Sequence, residues 1–201
     1  MILNPVIYKC PYCNKLYDYI ELISGNTFGA VSYSDGFIMA PMLPNIIRIT
    51  KCINCNSFFW LNDFNLYTAG TLNSALQQLP ELTIYDYMEY LDNNYQIDLT
   101  DELYIRNQIR FNFNHSIKLQ SDEFALVLAE RNLMALLDIY LYKLDTVSFL
   151  NIGEIYRNLG QFEKAIEYFN KYLKNAKKEE HEVLSKLLNL SKQKIKDVVI
   201  I

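Results

Sequence analysis

Histidine is nearly missing from this chain, with two copies among 201 residues, His115 and His181. That scarcity removes His-rich metal chemistry and the HExxH arrangement, which needs two imidazoles one helical turn apart. Glycine and proline are sparse, at six and five residues, and neither a GxxxxGK nor a GxGxxG segment occurs. Without a phosphate-cradling loop, nucleotide-driven chemistry is not expected. No apolar run approaches the roughly 20 residues of a membrane-spanning helix. Neither sign of charge dominates, with 19 bases against 23 acids for a net of −4. Residues 1–60 carry +1, 61–120 carry −5 and 121–201 are neutral. None of the three presents the clustered Lys/Arg face that neutralises nucleic-acid phosphates. The one lysine-rich stretch, Lys171 to Lys196, is interleaved with acids. The start, MILNPVIYKCPYC, lacks a basic region, a sustained apolar stretch and a small-residue cleavage site. The expectation is a cytoplasmic protein without a secretory signal. What the chain does have is apolar mass, 51% hydrophobic against 21% charged, enough for one or two folded domains.

All four cysteines fall in two pairs, Cys10-Pro-Tyr-Cys13 and Cys52-Ile-Asn-Cys55. Two intervening residues let both thiolates of a pair face one ion, and two such knuckles complete a tetrahedral Cys₄ shell for Zn²⁺. Their flanks match: Lys9 and Asn14 bracket the first pair, Lys51 and Asn56 the second. Such a knuckle needs a left-handed residue after its second cysteine, and asparagine is the best substitute for glycine there. Leu16 and Tyr17 follow one knuckle and Phe58, Phe59 and Trp60 the other, apolar cover for a small sheet. These features resemble a zinc ribbon, with a 38-residue insertion between the knuckles. A closed shell of four thiolates makes the metal structural. Two alternatives stay open. Cys-Pro-Tyr-Cys after Val6-Ile7-Tyr8 also resembles the glutaredoxin motif, with Cys10 as nucleophile and Cys13 as resolving thiol. Disulfides are the other, disfavoured in a reducing cytosol.

From Ser24 to Thr50 the texture is β-rich and holds three of the six glycines. It reads as strands near Gly29–Tyr33, Phe37–Ala40 and Ile46–Thr50, with a turn at Ser34-Asp35-Gly36 and a loop from Pro41 to Pro44. This stretch is expected to scaffold the ribbon, with an exposed polar site along Ser24 to Asp35 as the alternative. Beyond Leu61 the pattern is helical. Thr83 caps a helix to about Leu91, Thr100-Asp101-Glu102 opens another to about His115, and Ser121-Asp122-Glu123 a third to about Leu141. In that third helix Phe124, Leu128, Met134 or Ala135, and Leu137 or Asp138 are expected on one broad apolar face, with Glu130 and Arg131 toward solvent or a partner. Arg106, Arg110, Asn114 and His115 share one helix. They are expected on a solvated face paired to Asp101 or Glu102, the alternative being a site for an anion. The tyrosines at 85, 87, 90 and 95 read as half-buried packing.

Phe149 to Leu173 resembles a tetratricopeptide repeat, with Phe149, Ile152, Gly153, Tyr156, Gly160, Phe162, Ala165 and Phe169 filling the family's positions. Tyr172 and Lys177 depart from it, where the family has a small residue and a proline. The resemblance implies two antiparallel helices over 146–176, upstream neighbours that complete the core, and a concave face built by Leu150, Glu154, Arg157 and Asn158. Glu179 to Val199 reads as an amphipathic capping helix, with Lys186, Lys192, Lys194 and Lys196 outward; contact with an anionic membrane is the lesser alternative.

The expected fold class is therefore α+β, a small β-rich zinc ribbon over 1–62 followed by an all-α TPR-like array over 63–201. This order of parts resembles uncharacterised bacterial proteins that join a Cys₄ ribbon to a short TPR-like tail, and that resemblance implies no reaction. The leading expectation is a non-enzymatic adaptor for a protein or peptide, with Cys10, Cys13, Cys52 and Cys55 on zinc and Leu150, Glu154, Arg157 and Asn158 toward the partner. The alternatives are a nucleic-acid-binding ribbon using Lys9, Lys15, Arg48 and Lys51 beside Tyr12, Tyr17, Phe58 and Trp60, and a thiol oxidoreductase.

Overall fold

The computed structural model describes residues 1–43, 46–69, 76–94, 96–143 and 146–201. Pro44, where the expected loop ends, and Tyr95 of the tyrosine run lie outside these. The fold is α+β, strands first and helices after. Two compact units form, one from residues 1–30 and 39–93 and the other from 31–38 and 94–201. This division differs from a cut at 62/63 read from texture, for two reasons. A helix at 84–93 packs in the strand-rich unit, and a hairpin between the cysteine pairs belongs to the helical one.

In the strand-rich unit β1 (Ile2–Lys9) and β2 (Leu16–Ser24) form an antiparallel hairpin around the first cysteine pair, flanked by β7 (Leu66–Ala69) on β1 and β8 (Gln77–Gln78) parallel to β2. The expectation of helix directly after Leu61 is corrected by β7 and β8, short edge strands whose few residues carry no helical or alternating period of their own. A second hairpin, β5 (Ile49–Lys51) and β6 (Phe58–Trp60), surrounds the second pair. Val6, Tyr8, Tyr17, Phe59 and Leu79 pack with Cys10 and Cys52 into one core. Helix α1 (Ile84–Asn93) starts at the expected cap. Thr83 Oγ1 accepts from the Asp86 N–H, and the Asp86 carboxylate accepts from the Thr83 N–H. Its Tyr90 hydroxyl accepts from Trp60 Nε1 at 2.9 Å, and its ring stands edge-on to Phe58.

In the helical unit α2 (Leu99–Asn114), the short α3 (Ile117–Gln120) and α4 (Glu123–Lys143) precede the pair α5 (Thr146–Asn158) and α6 (Phe162–Leu173). Asp98 and Asp122 cap α2 and α4, each accepting main-chain N–H groups of the first turn. The buried face of α4 is Ala125, Ala129, Asn132 and Leu136, one position round from the expected face. Phe124 and Met134 are exposed instead. The small alanines admit α2 closely, and buried Asn132 donates Nδ2 to the Arg106 carbonyl at 2.8 Å. Gly160 turns α5 into α6 at φ 74°. There Gln161 N–H reaches back to the Tyr156 carbonyl and Gly160 N–H to Arg157, the paired bonds of a helix end with a left-handed residue.

Helix α7 (His181–Lys192), preceded by a 3₁₀ turn at Lys178–Glu180, closes the core of Ile152, Tyr156, Ala165, Phe169 and Tyr172 with Leu184 and Leu187. It stops at Lys192 rather than at Val199 as expected. Lys194 takes φ 58°, with Ile195 N–H bonded to the Leu190 carbonyl and Lys194 N–H to Ser191. That ends the helix as Gly160 ends α5, and the chain bends at Asp197 before the β-branched residues 198–201.

Gly153 faces the ring of fully buried Phe169, and a Cβ there would lie 2.6 Å from Phe169 Cε1. Gly153→Ala therefore overpacks the α5/α6 contact and is expected to cost about 1–3 kcal/mol of the helical unit's stability. Urea unfolding followed by helical circular dichroism measures it.

Candidate functional site

The two cysteine turns are copies of one geometry. In the first, Asn14 N–H bonds to the Cys10 carbonyl at 3.0 Å and Cys10 N–H to the Lys15 carbonyl at 2.8 Å. In the second, Asn56 N–H bonds to Cys52 at 2.7 Å and Cys52 N–H to Ser57 at 2.9 Å. Asn14 and Asn56 take φ of 62° and 57°, the left-handed conformation their position calls for. The hairpins β1/β2 and β5/β6 bring these turns tip to tip. The four sulfurs lie within 4.8 Å of one another, Cys10 to Cys55 at 3.7 Å and Cys13 to Cys52 at 3.5 Å. None is disulfide-bonded.

This arrangement fits a metal ion. A tetrahedron with metal–sulfur bonds of about 2.3 Å has edges of about 3.8 Å, close to the separations across the two turns. Cys10 and Cys52 are buried while Cys13 and Cys55 are half-buried, so an ion here is enclosed by its ligands and reached from one side. The Tyr17 hydroxyl, fully buried, accepts the Ile53 N–H and donates to Cys52 Sγ, both at 3.1 Å. Burial opposes ionisation of Cys52, yet the Tyr17 hydroxyl and the N–H groups of Cys55 and Asn54 outweigh it and bring the thiol down to about 6. Burial pushes Cys10 the other way, up to about 12, against N–H groups of Cys13 and Tyr12. The role of Tyr17 was not foreseen. Its position after the first knuckle marks it as apolar cover or as a stacking ring for nucleic acid, since nothing in the spacing says which aromatic carries a hydroxyl to a sulfur of the other turn.

Of the groups expected at a nucleic acid, Tyr17 is buried and Phe58 and Trp60 are engaged with Tyr90. Lys51 Nζ sits 2.7 Å from Glu89 and 3.3 Å from Asp86, and Glu89 foremost raises its pKa. Tyr12 is exposed, as are Lys15 and Arg48. For thiol exchange, Cys10-Pro-Tyr-Cys13 lies in a turn between two antiparallel strands, not at the helix N-terminus that activates such a motif.

The helix face expected to meet a partner is built differently from an open surface. Glu154 and Arg157, at 1% and 0% exposure, are buried, which corrects their placement as accessible contacts. They form an ion pair one turn apart, Nη2 to Oε1 at 2.5 Å and Nε to Oε2 at 2.8 Å. Arg157 Nη1 donates to the carbonyls of Ile195 and Asp197, and Nη2 also to Ser34 Oγ. All five guanidinium N–H groups are thereby used. Asn158 is half-buried, its Nδ2 donating to the Lys196 carbonyl at 2.8 Å and its Oδ1 accepting from Arg110 Nη2 at 3.2 Å. Leu150 packs against the Phe169 core. The charged pair is buried because the chain supplies its own partners there, the extended segment after Lys194 and a hairpin of β3 (Val31–Ser32) and β4 (Ile38–Met39).

That hairpin was expected to scaffold the ribbon, and its Ser34 and Asp35 are buried in the helical unit instead. Asp35 accepts from Asn114 Nδ2 at 2.8 Å and faces His115 Nε2 at 3.4 Å, with His115 packed on Tyr33 and Phe37. The pairing expected on α2 is met by Arg106, bonded to Glu102 at 2.6 Å with its side chain 16% exposed, and the solvated placement fails for Arg110. The latter is buried, with Nε and Nη1 lacking a partner among the described residues.

Tyr17→Phe removes the buried hydroxyl aimed at the Cys52 sulfur. It is expected to weaken metal affinity by about 10–100-fold with the fold retained, measured by competition with a chromophoric chelator.

Compared with known proteins, residues 147–179 match the tetratricopeptide repeat model, which places α5, α6 and the turn after them in one such repeat. No curated protein and no solved structure matches the chain.

Proposed function

We propose that the chain is a non-enzymatic, cytoplasmic adaptor that engages a protein or peptide through its helical unit and holds a structural zinc ion in its cysteine head. The tetratricopeptide repeat carries this reading, because stacked repeats expose long surfaces that serve protein–protein contact. Four convergent thiolates in two CxxC turns favour zinc, the ion that suits a tetrahedral S₄ set without redox chemistry. With all four positions taken by protein, the ion has no open site for a substrate. The unpaired, unoxidised cysteines suit a reducing compartment, and no described helix is long and apolar enough to cross a membrane.

Two measurements test the reading. Purified protein is expected to hold about one zinc per chain, and Cys52→Ser to lose it. Structural zinc contributes on the order of 10 kcal/mol to folding a small site, so Trp60 fluorescence should report an unfolded head while the helical signal survives. Unligated thiols that titrate freely in a folded head would refute the metal assignment. For the adaptor role, a protein captured by the intact chain should rebind as a purified component. Retention of nucleic acid alone, falling linearly with log salt concentration, would overturn it in favour of the ribbon as a nucleic-acid binder.

A further inference from the structure

The face of α5 that carries Arg157 and Asn158 is covered by the chain's own residues 195–201. Besides the Ile195 N–H bond to the Leu190 carbonyl that ends α7, seven hydrogen bonds among the described residues fasten the segment, all through its main chain. Arg157 Nη1 takes the carbonyls of Ile195 and Asp197 at 2.5 and 2.9 Å, Asn158 Nδ2 that of Lys196 at 2.8 Å, and Lys186 Nζ that of Ile200 at 2.6 Å. Ser34 N–H donates to the Val199 carbonyl at 2.8 Å, Ile201 N–H to Ser32 at 2.9 Å, and Val199 N–H to Ser34 Oγ at 3.1 Å. The last three, with the antiparallel bridge between Tyr33 and Ile200, add the segment as a strand to the hairpin edge. Adding a strand to an exposed edge is a general mode of peptide capture.

Burial is uneven across this contact. No residue of 195–201 is buried, and Lys196, Asp197 and Ile200 are exposed. The seat beneath is not: Arg157, Glu154 and Ser34 are buried. Apolar burial is what makes a segment expensive to remove, and here it is partial, with Ile195, Val198, Val199 and Ile201 half-buried. The seat is fixed without its occupant. Glu154 orients the guanidinium through two bonds, and Arg110 holds Asn158 Oδ1 so that Nδ2 faces outward.

We infer that this seat, made by Arg157 and Asn158 on α5 and the edge Ser32–Ser34, is a binding site for an extended peptide read through its main chain, and that residues 195–201 are an exchangeable occupant in cis. The inference rests on the adaptor reading and names the site of that function. An incoming peptide is selected for extended, β-branched character rather than for side-chain charge, since carbonyls and N–H groups are what the seat addresses. Its apparent affinity is lowered by the fraction of chains whose own segment is seated.

The test uses the full chain and a fluorescent octapeptide of the sequence Lys194 to Ile201, Lys-Ile-Lys-Asp-Val-Val-Ile-Ile. Val199→Pro removes the N–H that bonds Ser34 Oγ and weakens the occupant in cis, leaving the seat intact. The variant is expected to bind the octapeptide at least about tenfold tighter than the natural chain, by fluorescence anisotropy, the release from self-competition. Arg157→Lys in the Val199→Pro background should lose that gain. In the natural chain, the amides of Val199 and Ile201 should exchange with solvent by a local opening faster than that of Ile155 in α5. Val199→Pro that folds and binds no peptide overturns the inference. So does exchange of Val199 and Ile201 only with global unfolding, which remains decisive should the proline variant fail to fold. A cellular partner bound equally by both chains places the adaptor surface elsewhere. Peptide capture without any cellular partner removes the adaptor reading and leaves the seat.

Discussion

The strand-rich unit depends on one constraint: four sulfurs from turns 39 or more residues apart in sequence must converge on a point. Each turn meets it by putting an asparagine in the left-handed region after its second cysteine, a conformation other non-glycine residues adopt at a cost of roughly 1–2 kcal/mol. The hairpin strands then follow in register, β1 with β2 and β5 with β6. Tyr8, Tyr17 and Phe59 cover the cysteines from within. Tyr17 links the turns, since it rises from the first hairpin and bonds both a sulfur and an amide of the second. The two buried cysteines, Cys10 and Cys52, are thereby part of the unit's apolar core with Val6, Tyr8, Tyr17, Phe59 and Leu79.

The helical unit solves a different problem, that of a charged pair out of water. Desolvating a guanidinium and a carboxylate together is seldom repaid by their attraction alone. Arg157 and Glu154 are tolerable because the remaining guanidinium donors meet two carbonyls and a serine hydroxyl.

Much of this was legible from sequence. The matched CxxC turns, the asparagines, the caps at Thr83 and near Thr100 and Asp122, and the Gly153, Gly160 and Ala165 positions each rest on a local rule that the surroundings do not override. What stayed hidden depended on distant partners. Leu150, Glu154, Arg157 and Asn158 read from the repeat pattern as a concave face toward a partner, and nothing local shows that the chain returns to cover Glu154 and Arg157. Lys194 ends α7 in a conformation glycine usually takes, so the amphipathic pattern ran on past it to Val199. The α4 face was misplaced by one residue because hydropathy favours Phe124 and Met134 over Ala125 and Ala129, whereas close helix approach favours the alanines. The hairpin at 31–38 looked like ribbon because it lies between the ribbon's cysteines. Its partners, Asn114, His115 and Arg157, come about 80 to 120 positions later.

The chain passes between its two compact units three times, after residues 30, 38 and 93. Modular as the parts look, no single cut separates them. A gene fragment starting at residue 94 would encode every helix after α1 yet omit the hairpin, baring Arg157 and Asn114 on that side, and a fragment ending at 93 would carry that hairpin with nothing to receive it. Evolutionary shuffling of either half therefore has to move both together, and a protease nick between residues 30 and 39 would sever a shared stitch rather than a linker.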